Sequence, residues 1–484
     1  MRLAMSMQAA KLDELAEKLF NISGETLMDN AATALAESIK NRISADKTFG
    51  IFCGRGKNGG DGFLLACKLN DAGYKVKTIV CFGAEDKVNP LTANAMEIAS
   101  RKSIPLLSLG DFQGADVYVD AILGTGFQGE ISGNYKLAID ELNRGKYVVS
   151  VDLPSGLNCD NGKISNVCVK ANETLTLAVN KIGLVIHPGA DYAGKVSVLD
   201  IGIPQECYSH IESNIYFADG NFVRNLYPKR YENSHKGTYG KTAVFGGSSG
   251  MIGSILMASE AVLRAGAGLS YAVVNDDIFK SVESCVREVI VKHDKDYKKI
   301  LEEVDSVVIG CGYLSNPKIS HIMKLAQQKT APVVVDAEGL NYISNKERTC
   351  PMVVTPHPGE FSKMIGLNTK EINENRIYLS QKYAKENNVV VVLKGARTVI
   401  ASPKGEVRII GSGTNAMATA GSGDVLAGLI GGFLAQKLTP LDAATLGAYI
   451  HGLAGELAAK DMSVYSVMAG DILNYIGKAM KVNE

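Results

Sequence analysis

Hydrophobic positions along the chain follow two rhythms. From Ala9 to Phe20, Leu12, Leu15, Ala16 and Leu19 recur at helical spacing, and Met28 to Ile39 repeats the pattern with Ala31, Leu35 and Ile39. Two helices are therefore predicted ahead of the first strand. From Phe49 to Ile203, short β-branched or apolar runs alternate with longer helical patterns: Phe49 to Cys53, Lys77 to Val80, Val117 to Val119 and Tyr147 to Val151. That alternation predicts a parallel sheet with crossover helices.

Periodicity fades between Ile203-Pro204 and His235, where Asp219-Gly220, Tyr227-Pro228 and a cluster of charges occur, and a new strand begins near Thr242 to Phe245. Beyond it, Val307 to Ile309, Val333 to Val335, Met352 to Val354 and Val389 to Leu393 read as buried strands separated by helices. With 484 residues, the chain exceeds what one core organises. The expected architecture is two α/β domains, residues 1–212 and 221–484.

Charge narrows the partners. Lys+Arg and Asp+Glu both total 51, so no broad attraction to nucleic acid or to a membrane surface is expected, and the partners should be small molecules. Neither a secretion signal nor an apolar run of membrane-spanning length is legible, which predicts a soluble cytoplasmic protein. The nine cysteines, without a Cys-x-x-Cys pair, fit reduced thiols, and the seven histidines lack metal-ligand spacing.

Candidate chemistry in the second half centres on Gly421-Ser422-Gly423-Asp424, followed by the long apolar run Val425 to Leu434. Glycines at a helix start let backbone N–H groups approach an anion, and Asp424 one residue on can take a proton from an attacking hydroxyl, the pairing phosphoryl transfer requires. The plainer reading is an ordinary loop with Asp424 capping the helix. Two further segments each follow a predicted strand, where open sheets bind ligands: Lys394 to Thr398, and Thr355-Pro356-His357-Pro358-Gly359-Glu360. By themselves, His357 reads as a satisfied loop histidine and Glu360 as a capping carboxylate.

Together with His235 to Gly240 and Arg264 to Leu269, these motifs resemble the ADP- or ATP-dependent NAD(P)H-hydrate dehydratases of the ribokinase-like superfamily, over about residues 221–484. The resemblance implies a ribokinase-like three-layer sandwich. It implies that Lys394, Gly395, Ala396, Arg397, Thr398 and Gly423 hold the adenine nucleotide. It places Ala267, Gly312, His357 and Asp424 at the hydrated nicotinamide, makes Asp424 the base, and sets Glu360 to organise magnesium near the phosphates. Two departures stand out: Gly310-Cys311-Gly312 lacks the usual proline after the first glycine, and Asp336-Ala337-Glu338-Gly339 carries Glu where Asp is commoner.

In the first half, strand Phe49 to Cys53 runs into Gly54-Arg55-Gly56-Lys57-Asn58-Gly59-Gly60-Asp61-Gly62 and then a helix from Phe63 to Asn70, a phosphate cradle. A dehydrogenase would close its second strand with an acidic residue, and Thr78 to Cys81 supplies none. Two later strand ends add carboxylates, Asp120 before Gly124-Thr125-Gly126 and Asp152 before Leu153-Pro154-Ser155-Gly156. With Met7-Gln8 and Leu27 to Ala32, the set resembles the NAD(P)H-hydrate epimerases over about residues 5–210. That implies a Rossmann-like three-layer sandwich in which Lys57, Asn58, Gly59, Gly60, Asp61, Gly124, Thr125, Gly126, Phe127, Gln128, Gly129, Glu130 and Asp152 contact substrate. It also implies that Asn58, Asp120 and Ser155 bind a potassium ion, whose hardness suits oxygen donors. Asp152 is the candidate proton-transfer residue, while Asp120 alone could equally be a cap. Lys57 stands where the family usually has Asn, placed to pair with a pyrophosphate or to face water.

The two resemblances point to one damaged cofactor. They imply a bifunctional NAD(P)H-hydrate repair enzyme, forming homo-oligomers, whose partners are NADHX, NADPHX and ADP or ATP. The rivals are a true kinase for a vitamin or sugar hydroxyl and a non-catalytic nucleotide-sensing first domain.

Overall fold

The computed structural model describes residues 1–314, 317–344 and 348–483. The chain divides into two compact units, Arg2–Ser213 and Asn214–Glu484, the second also taking in Met1. Each is a three-layer α/β sandwich on its own sheet.

In the first unit, β1 (Thr48–Cys53), β2 (Lys75–Val80), β3 (Leu106–Leu107), β4 (Val117–Ala121), β5 (Val148–Val151), β6 (Glu173–Leu177) and β7 (Lys195–Leu199) form a seven-stranded sheet ordered β3-β2-β1-β4-β5-β6-β7. Every pair is parallel. The period-two alternation of a strand sorts its side chains between faces. Phe49, Ile51, Cys53, Val117 and Val119 pack with residues of α2 (Gly24–Lys40) and α3 (Lys57–Asp71), following α1 (Ser6–Phe20) in the chain. Phe52, Tyr118 and Val148 face the other way, against Ile139 and Leu142 of α4 (Gly133–Leu142). Strand order reverses between β1 and β4, so a crevice opens beyond their carboxyl ends.

The glycine run after β1 is not a loop. Helix α3 begins at Lys57 with Gly56 as N-cap, so Asn58 to Gly62 lie in its first two turns. Glycine weakens a helix, which is why the sequence pattern predicts a start at Phe63. Tertiary contact overrides that weakness, because a Cβ on Gly59 would lie 1.7 Å from the Gly54 carbonyl and one on Gly62 would lie 2.6 Å from Ala121.

In the second unit, ten strands form one sheet: β8 (Ile215–Ala218), β9 (Lys241–Phe245), β10 (Leu269–Val274), β11 (Ile290–His293), β12 (Ser306–Ile309), β13 (Val333–Val335), β14 (Met352–Val354), β15 (Val390–Leu393), β16 (Val399–Ala401) and β17 (Val407–Ile410). Their order is β8-β17-β16-β15-β14-β13-β12-β9-β10-β11, parallel except for β15-β16 and β16-β17. Strand β8 falls within the stretch where hydrophobic periodicity fades and pairs in parallel with β17. The principal helices are α5 (Ile252–Arg264), α6 (Pro358–Ile365), α7 (Arg376–Asn387), α8 (Ser422–Ala435) and α9 (Pro440–Asp461). Helix α8 is buried along Val425 to Ala435, since its glycines admit neighbouring backbone: a Cβ on Gly428 would sit 2.1 Å from the Ala258 carbonyl of α5. Among the described residues, no helix is long and apolar enough to cross a membrane.

These close approaches separate packing glycines from open ones. Gly59→Ala is expected to cost the first unit roughly 4 kcal/mol, through forced displacement of α3. Gly56→Ala, with nothing within 4 Å of the added Cβ, should stay within about 1 kcal/mol of the parent protein. Urea unfolding followed by far-UV circular dichroism distinguishes the two.

Candidate active sites

At the carboxyl ends of β1, β4 and β5, a cavity of about 690 Å³ is lined by the starts of α1 to α3 and the loop after β4. Its size is that of a small-molecule site. Lys57, Asn58, Asp61, Gly124, Thr125, Gly126, Phe127, Gln128 and Asp152 all line it. Gly59 and Gly60 do not: they pack against Gly54 and Met28 beneath the helix start. Gly129 and Glu130 also lie outside the lining.

Asp152 sits at φ +65°, a region where a non-glycine residue is strained and where such strain gathers at functional sites. Its Oδ1 accepts from Thr176 Oγ1 at 3.2 Å and the Leu177 N–H at 3.1 Å, and forms an ion pair with Lys181, which is 2% exposed. Lys181 Nζ also donates to Thr176 Oγ1 and the Leu177 carbonyl. Burial, then the nearby charge of Asp152, holds the Asp61 carboxyl well above the usual range. Lys57 is exposed at the cavity edge and pairs with Asp13 at 3.3 Å.

Asp120 is fully buried. It accepts from Ser155 N–H at 2.7 Å, from Ser155 Oγ at 2.5 Å and from Ser150 Oγ at 3.0 Å. Burial pushes its carboxyl up to about 6, against those hydrogen bonds. Asn58 donates to the Leu123 and Val151 carbonyls, while its buried Oδ1 has no partner. A buried carboxylate without a cation beside an orphaned oxygen acceptor is a donor set that fits a hard monovalent cation.

In the second unit, Asp424 lies in the first turn of α8, after Gly421 at φ +87°. Ser254 and Cys311 hydrogen-bond its carboxylate, yet burial dominates and raises its pKa. Asp336, at the carboxyl end of β13, receives the Lys394 ammonium at 2.8 Å, and Glu360 approaches the same ammonium at 3.7 Å. Burial opposes that charge, but the two carboxylates hold Lys394 above its ordinary value. A Cβ on Gly423 would lie 3.2 Å from Lys394 Nζ, so the helix start, the lysine and both aspartates form one cluster.

Compared with known proteins, residues 242–478 match the family described as NAD(P)H-hydrate dehydratase and residues 24–183 match the YjeF-related protein N-terminus. The bifunctional NAD(P)H-hydrate repair enzyme of Moorella thermoacetica is 38% identical, with 98% of this chain and 96% of that protein aligned. The chain belongs to the bifunctional NAD(P)H-hydrate repair enzymes. Its counterpart in Coxiella burnetii is 32% identical over 98% of each chain. Among solved structures, the ADP/ATP-dependent NAD(P)H-hydrate dehydratase of Bacillus subtilis, co-crystallised with ATP/Mg2+, aligns with a TM-score of 0.53 at 30% identity, covering 56% of this chain and 99% of that one.

In the second unit, the geometry separates the residues that gather at the site from those that do not. Ala267 does not reach the second site: it precedes β10, at the amino end of the sheet, and is buried in the core under α5. Ser254 of α5 occupies the place expected of it, touching Asp424 and lying 2.7 Å from where a Gly312 Cβ would be. The small residues Ala265 to Gly268 are an unreliable guide, since small residues serve packing as readily as ligand contact. His357 caps α6, accepting from Gly359 and Glu360 N–H, while Glu360 Oε2 accepts the His357 N–H at 2.8 Å. Both plain readings of that pair hold, and Glu360 additionally faces Lys394. Cys311, in the family's proline position, is fully buried and places its thiol on Asp424. Ser254, Lys181 and His451 escaped the sequence reading. The one trace of Lys181 was a polar Asn-Lys pair inside an apolar stretch from Leu175 to Val185.

His451 of α9 stands behind Ser422, its Nε2 3.2 Å from the Ser422 hydroxyl, and burial lowers its pKa to about 4. The unfolded chain takes up this proton near pH 6.5 and the folded chain only near 4, so stability is lost as pH falls through that window. Between pH 7.5 and 5 the loss should be about 2 kcal/mol, and His451→Gln should abolish that component in urea titrations at the two pH values.

Proposed function

We infer that this chain repairs hydrated nicotinamide cofactors. Its first unit epimerises R- and S-NAD(P)HX, and its second dehydrates S-NAD(P)HX to NAD(P)H at the expense of ADP or ATP, giving AMP or ADP and phosphate. The observation that carries this reading is the alignment, over nearly the full length of both chains, with bifunctional repair enzymes. It is supported by a buried carboxylate at the carboxyl edge of each sheet, Asp152 and Asp336.

In the second unit, the α8 start offers free N–H groups and a positive helix end to the phosphates, with Lys394 beside them. Gly395, Ala396, Arg397 and Thr398 shape the rest of the nucleotide seat, and Gly312 and His357 border the nicotinamide ring. Asp424, with its raised pKa, accepts the ring hydroxyl proton as that oxygen takes the phosphoryl group. The C–O bond then breaks as the ring nitrogen donates its lone pair and phosphate leaves, and the adjacent ring carbon gives up a proton, forming the ring double bond and returning the lone pair to the nitrogen. Magnesium would be held by the phosphates themselves with help from Glu360, and would screen their charge.

In the first unit, Asp152 is the proton-transfer group and Lys181 the buried cation that orients it. Asn58, Asp120 and Ser155 would hold potassium, which supplies the positive charge their buried oxygens lack. All nine cysteines are free, which supports a reducing, cytoplasmic setting.

Single substitutions should separate the activities. Asp424→Ala is expected to cut dehydration by roughly 10²–10⁴-fold with epimerisation intact, and Asp152→Ala to do the reverse. Hydrate consumption assayed with ADP and with ATP, alongside phosphate release, reads both. Loss of both activities in either folded variant would overturn separate sites, and a lasting phosphorylated product would make the second unit a kinase.

A further inference from the structure

One buried cation plays no part in either site as described. Arg376 opens α7, is 6% exposed, and has only main-chain carbonyls as hydrogen-bond partners: Leu393 at 2.9 Å, Lys394 at 3.3 Å and Ala396 at 2.8 Å. Its Nε has no partner, and burial pulls its pKa down to about 10. A guanidinium buried without a carboxylate costs stability, and a cation at a helix N-terminus opposes the helix dipole. Neither the fold core nor α7 gains from the placement. What gains is the turn after β15.

That turn is held in an uncommon shape. Gly395 adopts φ +144° and Arg397 φ +54°. A Cβ on Gly395 would lie 3.0 Å from the Arg376 guanidinium, so glycine and arginine interlock. Arg397 donates to the Gly411 carbonyl at 2.6 Å and Thr398 to the Gly395 carbonyl at 3.0 Å, which fix the far side of the turn. On the near side the Lys394 N–H bonds to the Pro356 carbonyl and its ammonium to Asp336, and among the described residues Arg376 is the side-chain donor that holds the carbonyls of 393, 394 and 396. The carbonyls are shared between two nitrogens of a rigid planar fork, Ala396 on Nη1 and Leu393 and Lys394 on Nη2, a spread that the single nitrogen of an ammonium does not reproduce.

We propose that Arg376 is a positioning residue for nucleotide use, gripping the carbonyls of 393, 394 and 396 so that the turn keeps the shape that receives the adenine nucleotide. The inference rests on the reading of 394–398 as the nucleotide seat. Arg376 touches no reacting atom and acts through the turn.

The test uses Arg376→Lys and Arg376→Met in the full chain. Both should raise the KM for ADP or ATP at least tenfold while leaving kcat at saturating nucleotide within threefold, leave epimerisation unchanged, and speed amide hydrogen exchange across 394–398. If the Met variant fails to fold, the Lys variant decides, since it keeps the charge and loses the fork. A folded variant with nucleotide KM within twofold of the parent, or one losing kcat at unchanged KM, overturns the proposal. A parent protein that uses neither ADP nor ATP overturns the nucleotide reading instead, and exchange at 394–398 then judges the positioning: no acceleration sinks it.

Discussion

A helix that starts at the carboxyl end of a parallel strand can present its free N–H groups to an anion only if its first turn lies against the strand with nothing between. Both units meet this constraint by removing side chains at the contact. In the first, Gly59 leaves room for the Gly54 carbonyl; in the second, Gly421 takes a left-handed turn and Gly423 clears Lys394 and Asp336. The helices are then pinned by their apolar remainder, α3 through Phe63, Leu65 and Leu69 and α8 along nearly its whole length. Helix placement, and with it every charge near the ligand, follows from that approach.

The charges themselves repeat a pattern across the two units. Each pairs one carboxylate with a lysine, Asp152 with the buried Lys181 and Asp336 with the half-buried Lys394, and sets a second carboxylate nearby, Asp61 or Asp424, with no ion pair among the described residues. Burial pushes the unpaired carboxyl up in each unit, while its neighbour keeps an ammonium in contact. In the second unit Cys311 adds a thiol donor to Asp424, which works against burial and tempers the rise.

Motifs were legible in the sequence wherever a requirement is local. Gly421 to Asp424, Lys394 to Thr398 and Asn58 could be found because glycine, lysine and amide at fixed offsets have a mechanism attached. The helix start at Lys57 was not, because its two glycines weaken a helix locally and are rescued by contact with Gly54 and Met28. Lys181, Ser254 and Arg376 were hidden for a related reason: the carboxylates that Lys181 and Ser254 meet, Asp152 and Asp424, and the carbonyls that Arg376 grips lie 17 or more positions away, on neighbouring strands or loops, and no spacing rule links them. Ala267 shows the opposite error, a small residue in a glycine-rich segment that packs at the wrong end of the sheet. Strand alternation predicted both sheets, but not that β16 and β17 fold back antiparallel, which the short turn between them dictates.

Having both activities on one chain follows from the stereochemistry of the damage. A dehydrating site that aligns one ring hydroxyl with a phosphoryl donor is complementary to one epimer only, because the other directs its hydroxyl to the opposite face of the ring. On the proposed assignment, the mismatched epimer would be inert at Asp424 however tightly it binds. A second site is needed that exchanges the two faces without consuming nucleotide, and it must shelter the ring from solvent while protons leave and return. On the same proposal, the crevice around Asp152 and Lys181 would meet that need with a strained aspartate held by a buried ammonium and no phosphate donor. Fusing the two fixes their ratio at one to one, so neither epimer accumulates for want of a partner enzyme.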